Sequence, residues 1–271
     1  MTFEPTRPGN PNGLTIYQHV FPRSAIARFC DAKGEVRVQS LRASRPRSKV
    51  DKADVFCAQR AWDQATETYK TRREEDDYRK LADAVVSGDI KTLSPEHDQV
   101  ASLFIALWTA RHLARSRPSG DIELKGVTDP ALSQEQEENL EANGVTFTRD
   151  GIMPSRIFAG MTIRFRIDHE FEQLRGKHWG IVRSTHGEFL VPDNSMHVGW
   201  IPVSPNVSLA LESDDVTLPV GLVGFANRQA LSQAREYYFA RDLDRCPILR
   251  RSIPLAPRDM WWPSVAKFGR S

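Results

Sequence analysis

One arginine on the apolar face of a long helix constrains this fold more than any other feature. The segment 94–117 has helical periodicity, and at about 100° per residue its apolar face carries Val100, Phe104, Leu107 and Ala114. Arg111 falls in the middle of that face. A guanidinium keeps its charge at neutral pH, so burying it without a partner costs several kcal/mol. We therefore expect Arg111 either to have a buried acidic partner or to line a cleft.

A second charged residue falls on an apolar helix face. Residues 54–87 are expected to be helical, and the later part of this region places Glu74 beside Tyr78, Leu81, Ala82 and Val85. The simplest explanation is that Glu74 and Arg111 form a buried ion pair. Glu74→Gln would then destabilise the fold by a few kcal/mol. In the alternative, Arg111 points into a cleft and holds a phosphate group.

The chain is long enough to bury a sizeable core, with 271 residues of which 40% are hydrophobic and 9% aromatic. The expected fold class is α+β, mainly helical with a small antiparallel sheet in the C-terminal half. Residues 157–175 fit both a strand and a helix, and the helix is favoured. The expected organisation is a flexible leader (1–13) and a single globular domain (14–271), which contains a helical region (54–120), a sheet-containing region (179–212) and a C-terminal helix (227–241).

Positive charge is concentrated in two parts of a chain whose net charge is only +2. Residues 33–52 contain seven basic residues against Glu35 and Asp51, and the part from 241 to 270 is also basic. Such runs are usually solvated surface. Two of them in one chain favour a polyanionic partner, so nucleic acid is the expected partner, with a protein partner as an alternative.

Several protein classes lose their usual support. The three cysteines fit neither a zinc site nor a disulfide framework, and no apolar run reaches membrane-spanning length. The first residues lack the apolar core of a signal peptide, so a soluble cytoplasmic protein without membrane contact is expected. The motifs GxxxxGK[ST], GxGxxG, GxSxG and HExxH do not occur.

Three positions carry polar side chains in apolar surroundings. His19, in YQHVFP, is either a core histidine or a general base or ligand held by a rigid turn. Asp193 and Asn194 follow the apolar segment FLVP. They form either a simple Asx turn or a site in which the carboxylate orients a histidine, activates water or binds a divalent metal. Asn227 is most simply the N-cap of the last helix.

These pieces together resemble a bacterial domain-of-unknown-function family, the one numbered 4238. The segments that carry the resemblance are HVFPRSAIARFCDAKG, the helix containing Arg111, FLVPDN followed by IPVSP, and ANRQALSQAREYYFA. The chain departs from the family at Ser195, where a proline is usual, and at His112–Leu113, where Thr-Pro is usual. The resemblance implies no established activity. It suggests testing His19, Arg111, Asp193, Asn194 and Asn227 together as a composite site.

Two functions follow as hypotheses. In a nuclease-like phosphodiester hydrolase, His19 is a base or ligand, Asp193 orients it or binds a divalent metal, and Arg111 holds phosphate. In a non-catalytic effector module of a toxin or phage-defence system, the same residues form a structural network and a basic face binds nucleic acid or protein. Hydrolysis of a small nucleotide or a peptide bond is a third possibility. A catalytic set should surround an open pocket, whereas a structural network should be sealed and hydrogen-bonded.

Overall fold

The computed structural model of the protein describes residues 3–195 and 199–248. The helices in this part are α1 (Arg23–Ala27), α2 (Arg72–Ser87), α3 (Pro95–Ser116), α4 (Gln134–Ala142), α5 (Ser155–Leu174) and α6 (Val220–Gln233). The strands are β1 (Tyr17–His19), β2 (Glu35–Ser40), β3 (Arg47–Val50), β4 (Cys57–Gln59), β5 (Ile122–Glu123), β6 (Ile152–Met153), β7 (Trp179–Ser184), β8 (Val191–Pro192), β9 (Trp200–Ser204), β10 (Val207–Leu211), β11 (Val216–Leu218) and β12 (Tyr237–Ala240).

Helix α3 is the centre of the fold, and its expected boundaries are confirmed. The side chain of Ser94 caps the helix by accepting a hydrogen bond from the amide of His97, and Pro95 occupies the first turn. Helices α2 and α5 pack against α3. Phe104 of α3 stacks on Tyr78 of α2, with ring centroids 3.4 Å apart. The helical prediction for the ambiguous segment 157–175 is also confirmed, since α5 covers nearly all of it.

The strands form four sheets within the described residues. Two are four-stranded, with strand orders β3-β2-β12-β8 and β11-β7-β10-β9, and two are two-stranded, β1-β4 and β5-β6. All pairings are antiparallel except β11 with β7. The first four-stranded sheet joins the β2–β3 hairpin to β12 from the other end of the chain.

The expectation of one small antiparallel sheet in the C-terminal half is therefore wrong. The fold is α+β, but 40% helix is accompanied by 19% strand in several sheets. Strands β1 to β4 all lie in the N-terminal half, and β11 pairs in parallel. The missed pairing of β2 with β12 depends on contacts between segments far apart in sequence, which local periodicity does not report.

The expected helices also differ in their limits. The region 54–120 is not continuously helical, because β4 and a π-helix at Thr66–Lys70 precede α2. The expected C-terminal helix at 227–241 is wrong at both ends. Helix α6 runs from Val220 to Gln233, and residues 237–240 form β12. Tyr237 and Phe239 alternate into the core, as a strand requires.

The expected flexible leader is held against the domain over its described part, residues 3–13. The amide of Arg7 donates to the carboxylate of Glu138 on α4 at 2.7 Å. Glu4 forms ion pairs with Arg149 and with Arg156 of α5. Proline, glycine and polar composition predicted flexibility, but the buried carboxylates of α4 supply partners that composition does not reveal.

No helix in residues 3–195 and 199–248 is both long enough and apolar enough to cross a membrane.

Candidate functional site

Arg111 has the acidic partner that its buried position requires. Its residue surface is 1% exposed. Nη2 forms an ion pair with Oε1 of Glu75 at 2.7 Å and donates to Oγ1 of Thr71 at 2.8 Å, and Nη1 donates to the carbonyl oxygen of His19 at 3.3 Å. The guanidinium carbon lies 5.6 Å from the ring centroid of Trp62. Arg111 thus ties β1 to the start of α2.

The prediction that Glu74 is the ion-pair partner of Arg111 is wrong by one residue. Glu75 pairs with Arg111, whereas Glu74 lies 3.6 Å from the guanidinium of Arg164 on α5. Adjacent helical residues differ by about 100° in direction, so α2 turns one of them toward α3 and the other toward α5. Glu74 does lie on the inward face that the periodicity indicated, with its side chain 13% exposed, but its ion-pair partner is Arg164.

Two further members of this cluster gave no signal in the sequence. Glu67 lies on the π-helix, with its Oε2 3.7 Å from Nη2 of Arg111, and it accepts a hydrogen bond from the indole Nε1 of Trp62 at 2.8 Å. Thr71 ends the same π-helix. A π-helix widens one turn and shifts the direction of the residues that follow, so neither side chain obeys a 3.6-residue period.

The charges in this cluster are strongly coupled. Burial alone would lower the pKa of Arg111, but Glu75 and Glu67 raise that pKa above its ordinary value, so the guanidinium stays charged. Burial raises the pKa of Glu67, and the neighbouring Arg111 only partly opposes the shift. The side chains of Glu67 and Glu75 are 17% and 28% exposed, so the cluster reaches the protein surface on their side.

His19 lies on β1 at the edge of this cluster and is half-buried. Its Nε2 is 3.1 Å from the carbonyl oxygen of Asp51. Because a carbonyl oxygen only accepts hydrogen bonds, Nε2 carries the hydrogen and Nδ1 is the basic nitrogen. Burial lowers the pKa of His19, and Arg111 and Arg23 lower it further against the opposing hydrogen bond to Asp51. The imidazole is therefore neutral at pH 7.

The carboxylate of Asp193 is buried and holds two backbone amides in place, rather than facing solvent. It is 4% exposed, its Oδ1 accepts from the amide of Arg235 at 2.8 Å, and its Oδ2 accepts from the amide of Glu236 at 2.9 Å. These bonds hold the turn between α6 and β12. Burial raises the pKa of Asp193, and the two amide bonds oppose the shift. The carboxylate therefore does not form the expected Asx turn, because both of its oxygens accept from amides more than 40 residues along the chain.

The side chain of His112 also belongs to this second cluster. Its Nδ1 lies 3.0 Å from the carbonyl oxygen of Asp193. The sequence pattern places His112 off the apolar face, but the residue is buried, because α3 is enclosed on nearly all sides. Burial lowers the pKa of His112, with Asp193 opposing. Asn194 is buried beside it, with Nδ2 3.4 Å from the carbonyl oxygen of Gln233.

Asn227 is not a helix N-cap. It lies inside α6, which begins at Val220 after Pro219. Its Oδ1 accepts from the amide of Leu190 at 2.9 Å, and its Nδ2 donates to the carbonyl oxygens of Glu188 at 2.8 Å and Pro247 at 2.9 Å. The side chain therefore joins three segments of backbone.

The residues expected to form one composite site divide into separate groups. Arg111 and the backbone of His19 belong to one cluster, and Asp193 and Asn194 belong to another on a different side of α3. Asn227 forms a third, structural group. Among residues 3–195 and 199–248, no three His, Cys, Asp or Glu side chains come together in a way that could hold a metal ion. A surface groove of about 470 Å³ is lined by Asp98 and Phe171 among others and lies near the opposite end of α3 from Arg111.

The segment 33–52 folds as β2, β3 and their flanking turns, and we name it the basic hairpin. Its exposed basic residues are Lys33, Arg37, Arg42, Arg45, Arg47 and Lys52, and Lys49 is half-buried. None of them has an ion-pair partner in the part of the chain that the structure describes. Of the second basic segment, 241–270, the structure describes residues 241–248. In that part, Arg241 and Arg245 form ion pairs with Glu188.

The basic hairpin is connected directly to the Arg111 cluster. Asp51 follows β3, and its carbonyl oxygen accepts the hydrogen bond from His19. The carboxylate of Asp51 pairs with Arg23 of α1 at 2.9 Å. One residue at the base of the hairpin therefore fixes the ring orientation of the histidine.

Comparison with known proteins gave no match to a family model, a curated protein or a solved structure. The resemblance to the family numbered 4238 stays a prediction.

Proposed function

We propose that this protein binds nucleic acid through the basic hairpin. The observation that carries the proposal is the set of exposed cations in residues 33–52 that lack ion-pair partners among the described residues. Like charges held close together repel one another, and a polyanion relieves this repulsion while releasing its own counterions. The phosphate backbone supplies such a polyanion in a regular form.

Other cationic surfaces of the protein are arranged differently. On α2, Arg72 pairs with Asp76 and Arg73 pairs with Asp77, and Arg28 of the α1 C-terminus pairs with Asp83. The two charges in each pair neutralise one another, as on an ordinary solvated helix. The basic hairpin lacks that neutralisation, which favours a binding surface over a merely solvated one.

Protection of an exposed strand edge explains only part of the charge. Strand β3 is at the edge of its sheet, and basic side chains on an edge discourage pairing with other chains. This accounts for Arg47 and Lys49. It does not account for Lys33, Arg42 and Arg45, which lie in the turns outside the strands.

The catalytic interpretation built on Asp193 has less support. Both carboxylate oxygens of Asp193 already accept backbone hydrogen bonds, and Arg111 is buried against Glu75. A carboxylate so engaged is not free to bind metal or activate water, and a guanidinium so enclosed is not free to hold phosphate. Asp193 and Arg111 are therefore better explained as structural groups.

The test measures fluorescence anisotropy of labelled duplex DNA and of labelled single-stranded RNA over a range of salt concentrations. The triple variant R42E/R45E/R47E is compared with K91E/R117E/K125E, which makes the same charge change at exposed residues elsewhere. On duplex DNA each lost phosphate contact should reduce the salt slope by about 0.9, so loss of all three should reduce it by about 2.7. Equal loss of binding in both variants would contradict the assignment of the hairpin, and absence of binding by the wild type would contradict the function.

A further inference from the structure

The leader, residues 3–13, lies on a charged surface of the domain that we name the α4 cradle. The cradle consists of Arg60, Glu138, Glu141, Arg149 and Arg156. Glu141 of α4 pairs with Arg60 and with Arg156 of α5, both at 2.8 Å. All members except Arg149 are buried. The cradle therefore holds fixed charges of both signs beneath the leader.

Two residues of the leader complete the charges of the cradle. The carboxylate of Glu4 pairs with Arg149 and, at 2.5 Å, with Arg156. Three residues later, the amide of Arg7 donates to Oε1 of Glu138 at 2.7 Å, and Nε of the same arginine lies 3.6 Å from Oε2. The cradle therefore recognises an acidic residue that is followed three positions later by a basic one.

Glu138 shows that the cradle needs an occupant. Its side chain is 1% exposed. Among the described residues, its partners outside α4 are Arg7 and Asn12, which both belong to the leader. A buried carboxylate without hydrogen-bond donors is costly, so departure of the leader leaves a site that a segment with matching groups can fill.

The leader can leave the cradle while the core stays folded. None of residues 3–13 is buried, and Leu14 is the first buried residue after them. The leader is therefore held by ion pairs and hydrogen bonds, which solvent and salt weaken, and by no buried apolar side chain of its own. Segments attached in this way open locally at a lower free energy than the whole domain.

The turn between the leader and β1 contains a residue in a strained backbone conformation. Asn10 has a φ of 46°, in the left-handed region that a residue with a Cβ adopts at a cost, and Gly13 follows with a φ of 61°. The side chain of Asn10 closes the turn, because Oδ1 accepts from the amide of Leu14 at 3.0 Å and Nδ2 donates to its carbonyl oxygen at 2.8 Å. Straightening the turn releases Asn10 from this conformation, and short strained hinges favour exchange of a segment between copies.

We propose that the α4 cradle is a peptide-binding site that accepts the leader of a second copy of this chain, so that two copies exchange leaders and form a dimer. The second copy is the partner because its leader presents the same Glu4 and Arg7 and so matches the charges of the cradle. Each leader makes the same contacts in the dimer as in the monomer. The dimer gains only the relaxation of the turn, so it forms at high protein concentration.

The experiment opens the cradle in the full chain and supplies the leader of the second copy as a peptide. The variant E4R/R7E reverses both charges, so Arg149 and Glu138 repel its own leader. The probe is a fluorescently labelled synthetic peptide of residues 3–14, and its binding is followed by anisotropy. The peptide should bind E4R/R7E at least about 10-fold more tightly than wild type, whose own leader competes at a high effective concentration. A peptide that carries the same two charge reversals should not bind, and binding of the unchanged peptide should weaken as salt is added.

A second measurement uses wild type alone, so a variant that fails to fold does not prevent a decision. Size-exclusion chromatography with light scattering should show a dimer fraction that rises with protein concentration. Excess unchanged peptide should convert this dimer to monomer, and the charge-reversed peptide should not. A wild type that stays monomeric up to millimolar concentration, or a dimer that the unchanged peptide does not dissociate, overturns the exchange of leaders. Equal binding of the two peptides to a folded E4R/R7E overturns the assignment of the cradle.

Discussion

Removal of the charge on Glu75 tests whether Arg111 depends on this residue. Glu75→Gln leaves a fully enclosed guanidinium with one direct anionic contact fewer. Loss of one partner from a fully buried ion pair costs about 3–5 kcal/mol. Here Glu75 is 28% exposed, Glu67 remains 3.7 Å away and Thr71 still accepts a hydrogen bond. We therefore expect the free energy of unfolding to fall by about 2 kcal/mol, below that range because solvent and Glu67 compensate.

The neighbouring variant Glu74→Gln is the matched control. It makes the same chemical change one residue earlier on α2, where Glu74 is 13% exposed and its partner, Arg164, is 41% exposed. Because the two groups are 3.6 Å apart and Arg164 is solvated, this ion pair contributes about 0–1 kcal/mol, so the variant should change stability by less than about 1 kcal/mol. This expectation replaces the larger effect that the sequence pattern predicted for Glu74.

Urea unfolding followed by tryptophan fluorescence measures both variants under the same conditions. Trp62 beside Arg111 is one of six tryptophans in the chain, and their combined emission reports global unfolding. Equal stability losses for the two variants, or a larger loss for Glu74→Gln, would refute the assignment of Glu75 as the partner. A loss for Glu75→Gln below about 0.5 kcal/mol would show that Arg111 does not need it.

Three further variants test other parts of the structure. Asp193→Ala removes two charge-assisted hydrogen bonds from backbone amides and should reduce the free energy of unfolding, measured in urea, by about 3 kcal/mol. A loss below about 1 kcal/mol would contradict the structural role of this carboxylate. Gly160→Ala would put a Cβ 1.6 Å from Oδ2 of Asp63, so it should destabilise the fold by about 3 kcal/mol. Gly221→Ala, where a Cβ meets open space, should not, and equal melting temperatures for the two variants would contradict the close packing at Gly160. Burial lowers the pKa of His112 below its ordinary 6.5, so the wild type should lose stability as the pH falls below 6.5 and through the lower folded-state pKa. His112→Gln should lose less stability over that pH range, and an identical pH dependence would show that His112 does not contribute.

The sequence by itself determined the central helix and its main constraint. Ser94, Pro95 and an apolar face are local signals, and they specify α3 because helix formation depends on residues only three or four positions apart. The permanent charge of Arg111 required an acidic partner in any fold that buried it, and such a partner exists. The concentration of basic residues in 33–52 was likewise visible in the sequence.

Tertiary structure alone decided which residues meet. The choice of Glu75 over Glu74 depends on the roughly 100° between adjacent helical residues and on the positions in which α3 and α5 hold Arg111 and Arg164. The segment 237–240 is a strand because β2 and β8 lie on either side of it. The Asp193 carboxylate is occupied because the turn after α6 brings two backbone amides to it. Each of these outcomes depends on contacts between segments distant in sequence, whose free energy exceeds the small local preferences that a sequence pattern reports.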